Sequence, residues 1–196
     1  MQQYSNAQRT QLYAKAFPKF EPLQVTKSNR IEGLWCMGNN YTTSGYYGAY
    51  PHGYLPRIQS MFPTETGDRV LHLFGGSLPQ SENYIRLDIR PEVNPDVVGD
   101  AHTLDKIFAP NSFDIIFADP PYSAEDAEHY GTCMVKRRVV MAGCNYILRP
   151  GGWLIWLDQV LPIFSKEKWM WNLAIAMVKS TNHRVRLITG FQKVTE

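Results

Sequence analysis

Short apolar runs recur between residues 70 and 157, and most end on a glycine or a carboxylate. Residues 70–74, 84–87, 97–98, 113–118 and 153–157 are rich in Val, Ile, Leu, Phe and Trp without strict polar alternation. That is the pattern of strands covered on both faces, as in a parallel sheet. Helical or turn signals fill the gaps. Residues 55–61 read as a helix ahead of the first run, and residues 103–108 and 132–148 as helices between later ones. Pro79 and the short interval before residue 84 leave only a vestigial helix between the first two runs. A further strand is expected at 31–38. Two closing strands, about 169–178 and 184–193, are expected around the polar stretch 180–183. Strands alternating with helices predict a doubly wound α/β sheet, whose ligands lie at the carboxyl ends of its strands.

Three stretches stand outside this pattern. Residues 1–30 are Gln-rich and weakly patterned, with a short helix expected over 7–16 before Pro18. The stretch reads as an N-terminal arm or a partly ordered tail. Residues 39–54 place Tyr41, Tyr46, Tyr47 and Tyr50 among Gly, Ser and Asn, with too little aliphatic content for a core strand. Two readings are open: a loop that binds a base or covers a cofactor, or an aromatic structural loop over the core. The acidic stretch 123–131 reads as a loop over a target pocket, or as an ordinary surface loop.

The chemistry gathers where the strands stop. The run 113–118 ends in Asp119-Pro120-Pro121-Tyr122. Two prolines fix φ and cannot extend a central strand, so the Asp119 carboxylate, the Pro120 carbonyl and the Tyr122 ring sit on a stiff turn at the sheet's edge. Two acceptors that grip both N–H bonds of an aromatic amine favour its pyramidal, nucleophilic form. A flat ring stacked on Tyr122 would be held in register with them. The competing reading is a tight loop whose Asp caps neighbouring backbone. Gly75, Gly76 and Ser77 follow the first run, where glycine lets a ligand approach the backbone. Asp88 ends the second run and could accept two ribose hydroxyls. Asp100 follows the third, as a ligand group or a helix N-cap.

Size, composition and charge narrow the class. The 196 residues suit one domain, with 44% hydrophobic and 13% aromatic content. No apolar run reaches membrane-spanning length, and residues 1–30 lack the apolar core of a secretory signal. Cys36, Cys133 and Cys144 are three widely spaced cysteines without metal-ligand spacing. They read as reduced thiols of a cytoplasmic protein that needs no metal. A formal charge of +2 neither demands nor excludes nucleic acid. The basic triplet Lys136-Arg137-Arg138 is a solvated face or a phosphate contact. Arg184, Arg186 and Lys193 are read as facing water rather than nucleic acid.

Asp119-Pro120-Pro121-Tyr122 resembles the signature of class I amino-methyltransferases, which transfer a methyl group from S-adenosylmethionine to the exocyclic amine of adenine or cytosine, mostly in DNA. The resemblance extends from about residue 50 to 157. Phe74-Gly75-Gly76-Ser77 is similar to that family's cofactor turn, although His72 stands where Asp is common and Leu78 where Gly is common. Tyr50-Pro51-His52 resembles its segment against the methionine end of the cofactor. Gly99-Asp100-Ala101 resembles the turn beside the cofactor's adenine, and Leu148-Arg149-Pro150-Gly151-Gly152 the turn into its fifth strand. The resemblance implies a Rossmann-like sheet closed by an antiparallel strand, and S-adenosylmethionine as cofactor. Asp119, Pro120, Pro121 and Tyr122 become the catalytic set, and Tyr46, Tyr47, Lys136 and Arg137 the contacts to nucleic acid, most simply DNA presented as a flipped or single-stranded base. RNA adenine or guanine methylation and a non-catalytic cofactor-binding subunit are the rival expectations. Glutamine methyltransferases usually carry Asn in place of Asp119. Motif-like segments nearly fill residues 50–157, so no separate target-recognition domain and little sequence specificity are expected. The small stand-alone form is similar to enzymes encoded by bacteriophages and mobile elements.

Overall fold

A computed structural model describes residues 1–38, 50–129, 133–179 and 185–195. In chain order the elements are helix α1 (Asn6–Ala16), strands β1 (Gln24–Val25) and β2 (Ile31–Met37), and helix α2 (Tyr54–Met61). Strands β3 (Val70–Leu73), β4 (Ile85–Asp88) and β5 (Val97–Val98) follow, then helix α3 (Leu104–Ile107) and strand β6 (Phe113–Ala118). Helices α4 (Ala124–His129) and α5 (Arg137–Ile147) lead to strands β7 (Leu148–Asp158), β8 (Trp169–Lys179) and β9 (Val185–Lys193).

Among the described residues these strands form one nine-stranded sheet in the order β1-β2-β8-β9-β7-β6-β3-β4-β5. The run from β5 to β7 is parallel, and β9 enters antiparallel between β7 and β8. This is the expected doubly wound α/β sheet with a closing antiparallel strand. The far edge was not foreseen: β2 pairs parallel with β8 over its whole length, and β1 caps it antiparallel.

The sheet is buried on both faces because its side chains alternate. Ile115 and Phe117 join Trp153, Ile155, Ile58 and Tyr13 in one cluster, on the face that α1 and α2 cover. Ile116 and Ala118 join Leu154, Trp156, Val140 and Cys144 in the other, under α3 and α5. Cys36 and Cys133 are exposed. Among the described residues no helix is long and apolar enough to cross a membrane.

Four local expectations are corrected. The partly ordered tail is a packed helix, capped by reciprocal Ser5 and Gln8 hydrogen bonds. It buries Tyr13 and Arg9, and Tyr13 stacks on Trp35 at 5.6 Å. Residues 124–129 of the expected acidic loop are the short helix α4. Ser123 Oγ accepts from the Asp126 N–H at 3.1 Å, and the acids Glu125 and Asp126 suit its first turn. The helix expected over 132–148 begins only at Arg137. The strand expected at 153–157 runs from Leu148 to Asp158, because Gly151, at φ +74°, absorbs the Pro-Gly turn signal inside it.

Candidate active site

In the strand order β7-β6-β3-β4-β5, the chain steps outward from β3 through β4 to β5 and then crosses back to β6 on the other side of β3. That boundary is the topological switch point, where a crevice opens beyond the carboxyl ends. Leu73 pairs with Ala118 across β3 and β6, and with Leu87 across β3 and β4. Asp88 pairs with Val98 across β4 and β5. The Phe74–Gly76 bend, Asp88, Asp100 and Asp119 therefore line one edge of the sheet. This juxtaposition comes from strand pairing, not from proximity in sequence.

At the Asp119 corner, Pro120 is buried while Asp119 and Tyr122 keep part of their surface. The Tyr122 hydroxyl donates to Asp119 Oδ1. Among the described residues nothing donates to Asp119 Oδ2, so that oxygen is available to a ligand. Burial pushes the Asp119 carboxyl up to about 7, while the Arg186 charge and the Tyr122 hydrogen bond oppose the rise. Asp158 and Asp126 add to it. Burial also raises the Tyr122 phenol well above its ordinary value, with the Asp119 charge reinforcing the effect. A depression of ≈ 320 Å³, lined by Ser123, Glu125, Gln159 and Val185, opens at residues adjoining Tyr122, Asp158 and Arg186.

Asp158 ends β7 close enough for its charge to reach Asp119. It is fully buried and accepts from Arg137 Nε at 2.6 Å and Nη2 at 3.0 Å. Trp156 Nε1–H donates to it at 3.0 Å and the Gln159 N–H at 2.7 Å. Arg137 is thus not a solvated cation but the partner of a buried carboxylate, while Lys136 is exposed.

The glycine bend is tightly specified. Phe74 has φ +60° and Gly76 φ +51°. A left-handed phenylalanine is strained by about 1–3 kcal/mol, and such strain gathers at ligand clamps. The N–H groups of Phe74 and Gly75 converge on the Leu87 carbonyl at 2.9 and 3.4 Å. A Cβ on Gly75 would press on Arg86 Cβ at 3.3 Å. Ser77 is exposed beside this bend.

Asp88 is nearly buried. Its Oδ2 accepts from the Gly76 N–H at 3.1 Å, and its Oδ1 from Arg90 N–H at 3.0 Å and Nε–H at 3.3 Å. Asp100 Oδ1 accepts from the His102 N–H at 2.9 Å and from its ring at 2.6 Å. Because His102 Nε2 accepts from the Lys136 N–H at 2.9 Å, the ring proton is on Nδ1. Burial works against charge on Asp100, but these hydrogen bonds prevail and hold its carboxyl low. Both expected roles of Asp100 are compatible, since it caps the 3-10 turn Ala101–Thr103 through one oxygen. Ala101 is buried behind it.

His72, in the centre of β3, lies fully buried with its ring stacked on Phe117 at 5.0 Å. Its Nδ1 shares a hydrogen bond with the Tyr50 hydroxyl at 3.0 Å. Burial lowers its pKa to about 3, so the ring is neutral. Tyr50 stacks on Tyr54 at 5.5 Å, and the charge on Asp119 reaches both phenols. Pro51 is buried and His52 exposed. Tyr46, Tyr47 and Arg184 lie outside the described residues.

Three residues around the corner escaped the sequence. Asp158 ends a strand at the same edge as the other acids, so carrying that strand one residue past 157 would have exposed it. Tyr54, the first residue of α2, follows Tyr50 by four positions across a non-helical turn. Arg186, read from the sequence only as facing water, is half-buried, with its guanidinium carbon 4.9 Å from the centre of the Tyr122 ring.

No family model matches the chain, and no curated protein matches it. Solved structures overlap it in part. TrmN from Thermus thermophilus is 18% identical with a TM-score of 0.45, over 65% of this chain and 44% of that one. An rRNA methylase from Streptococcus thermophilus is 8% identical at 0.42, over 65% and 87%. N-methyltransferase NodS from Bradyrhizobium japonicum is 13% identical at 0.45, over 65% and 86%. The chain thus spans less than half of TrmN and most of the other two. Overlap of this size concerns the path of the chain and not what it acts on.

Proposed function

We propose that this chain is an S-adenosylmethionine-dependent methyltransferase acting on the exocyclic amine of adenine in DNA. The observation that carries the reading is the Asp119 corner: a carboxylate with one oxygen that takes no hydrogen bond from the described residues, one strand away from a strained glycine bend, at the switch point of the sheet. The residues present fit the cofactor. Gly76, at φ +51°, turns the bend at the carboxyl end of β3 against which the cofactor would lie, and Asp100 has an oxygen free of hydrogen bonds from the described residues, suited to an amine. Asp88 would hold ribose hydroxyls and Tyr50 would flank the site. S-adenosylmethionine, when bound, supplies a methyl group on an electrophilic sulfonium.

The chain's own residues then do the rest. Asp119 Oδ2 and the Pro120 carbonyl accept the two amine hydrogens and aim the nitrogen lone pair away from themselves. Tyr122 holds the base plane by stacking. In a duplex, the base must first leave its stack to reach this corner. Transfer of labelled methyl to unmethylated DNA, with nucleosides identified by mass spectrometry, tests the reading. Asp119→Ala should lose roughly 10²–10³-fold in rate, as when a preorganised electrostatic contact is removed. Equal incorporation by variant and parent would remove Asp119 from the chemistry, and label in RNA adenine or guanine would move the substrate.

One observation favours a rival, a module without activity. Asp88 already accepts three hydrogen bonds from Gly76 and Arg90. Calorimetry with S-adenosylmethionine separates the two: no heat of binding would favour the rival.

A further inference from the structure

Arg186 plays no part in the reading above, yet its surroundings are unusual for a strand arginine. Its guanidinium carbon lies 4.9 Å from the centre of the Tyr122 ring. Its Nε is buried without a hydrogen-bond acceptor among the described residues, and none of the ion pairs among them includes Arg186. Val185, the preceding residue, lines the depression with Ser123, Glu125 and Gln159. The placement follows from the antiparallel entry of β9. Leu187 pairs with Asp158, so the start of β9 lies at the carboxyl end of β7, beside the corner.

The charged and titratable groups around Asp119 come from several elements. Tyr122 approaches from its own turn, Asp126 from α4, Asp158 from β7, Tyr50 from the turn before α2 and Tyr54 from the first residue of α2. Arg137 is committed to Asp158. Among the described residues, Arg186 is the cation whose charge opposes this acidic surrounding.

We propose that Arg186 is a positioning residue of this site, its guanidinium fixing the Tyr122 ring from one face and supplying the positive charge against which the Asp119 carboxylate is held. The inference rests on the reading of Asp119 as the group that accepts the amine. At 4.9 Å no base fits between guanidinium and ring, so an incoming base meets Tyr122 on its opposite face or edge. A planar guanidinium can stack on the ring, whereas a lysine ammonium supplies charge without that plane. Arg186→Lys should therefore keep the charge effect and loosen the ring.

Two readouts test this. The first needs no activity: carboxyl carbons of labelled aspartates are titrated by NMR, with Asp119→Asn assigning the resonance. Arg186→Gln should raise the Asp119 midpoint by about half a unit or more, and Arg186→Lys by less. Coincident titrations of the parent and Arg186→Gln overturn the inference whatever the activity. The second is the pH profile of methyl transfer, whose acid limb should move by the same amount in Arg186→Gln. A limb that stays in place marks a merely structural residue and also overturns it. If Arg186→Gln does not fold, Arg186→Lys decides: a near-parental titration with slower transfer supports the inference, and an unchanged rate overturns it. If the parent transfers no methyl group at any pH while the titration shift appears, the proposed function falls and the charge relation stands.

Discussion

Asp119 must satisfy two opposed demands. It needs little water around it, so that a hydrogen bond to an amine is strong, and it must remain ionised to accept one. With its carboxyl pushed up to about 7, the residue sits near the limit of that compromise. Methyl transfer should therefore fall about tenfold per pH unit below roughly 7, measured as kcat/KM against pH. Stability should show the same group with the opposite sign. An unfolded aspartate titrates near about 4, so between about 4 and 7 the folded chain holds a proton that the unfolded chain has released. Stability then declines as pH rises through that window, and the burial cost is fully present above it. Asp119→Asn should raise the unfolding free energy by about 1–2 kcal/mol near pH 8, discounted for the exposed part of the carboxyl, and by little near pH 5. Denaturant melts at the two pH values check this.

At the scale of elements, the end of β7 and the start of α5 are joined by one ion pair. Asp158 has no solvent contact, and its oxygens are filled by Arg137, Trp156 and Gln159. Asp158→Ala should destabilise by about 3 kcal/mol, because it strands a half-buried guanidinium and an indole N–H. Arg137→Met, which leaves the Asp158 charge unpaired, should cost a comparable amount. Chemical denaturation of both single variants and of the double measures their coupling. Such coupling would distinguish this Arg137 from the phosphate-binding residue that its basic neighbourhood suggests. The motif segments were legible here because each couples a local signal to a backbone requirement. Glycines bend at positive φ, Pro120 and Pro121 stop a strand, and Asp100 caps a turn. The elements misjudged were those whose local signals compete: Pro150-Gly151 signals a turn but lies within a strand.

At the scale of the molecule, the sheet is long because both ends of the chain build it. Strand β2, from the first quarter, lies against β8 from the last. Helix α1 covers that junction, with Tyr13 on Trp35, and Arg9 over Phe62 at 4.4 Å and Trp153 at 4.9 Å. Deleting residues 2–17 should expose those aromatics, lower the melting temperature by about 10 °C or more, and bring on dye binding to apolar surface. A melting temperature unchanged by the deletion would mean that α1 is peripheral after all.

Local sequence settled what each strand end would carry: a glycine bend after β3, a carboxylate after β4, another after β5, and Asp-Pro-Pro-Tyr after β6. Those features depend on φ restrictions and on the period of buried strands, which nearest neighbours in the chain dictate. The tertiary structure decided who meets whom. Only the order β7-β6-β3-β4-β5 sets Asp119 beside the glycine bend, only the antiparallel insertion of β9 brings Arg186 over Tyr122, and only packing turns Arg137 inward to Asp158. The physical reason is that strand pairing and side-chain charge contacts join residues tens of positions apart. Their partners are fixed by the burial of two whole faces, which no short window of sequence contains.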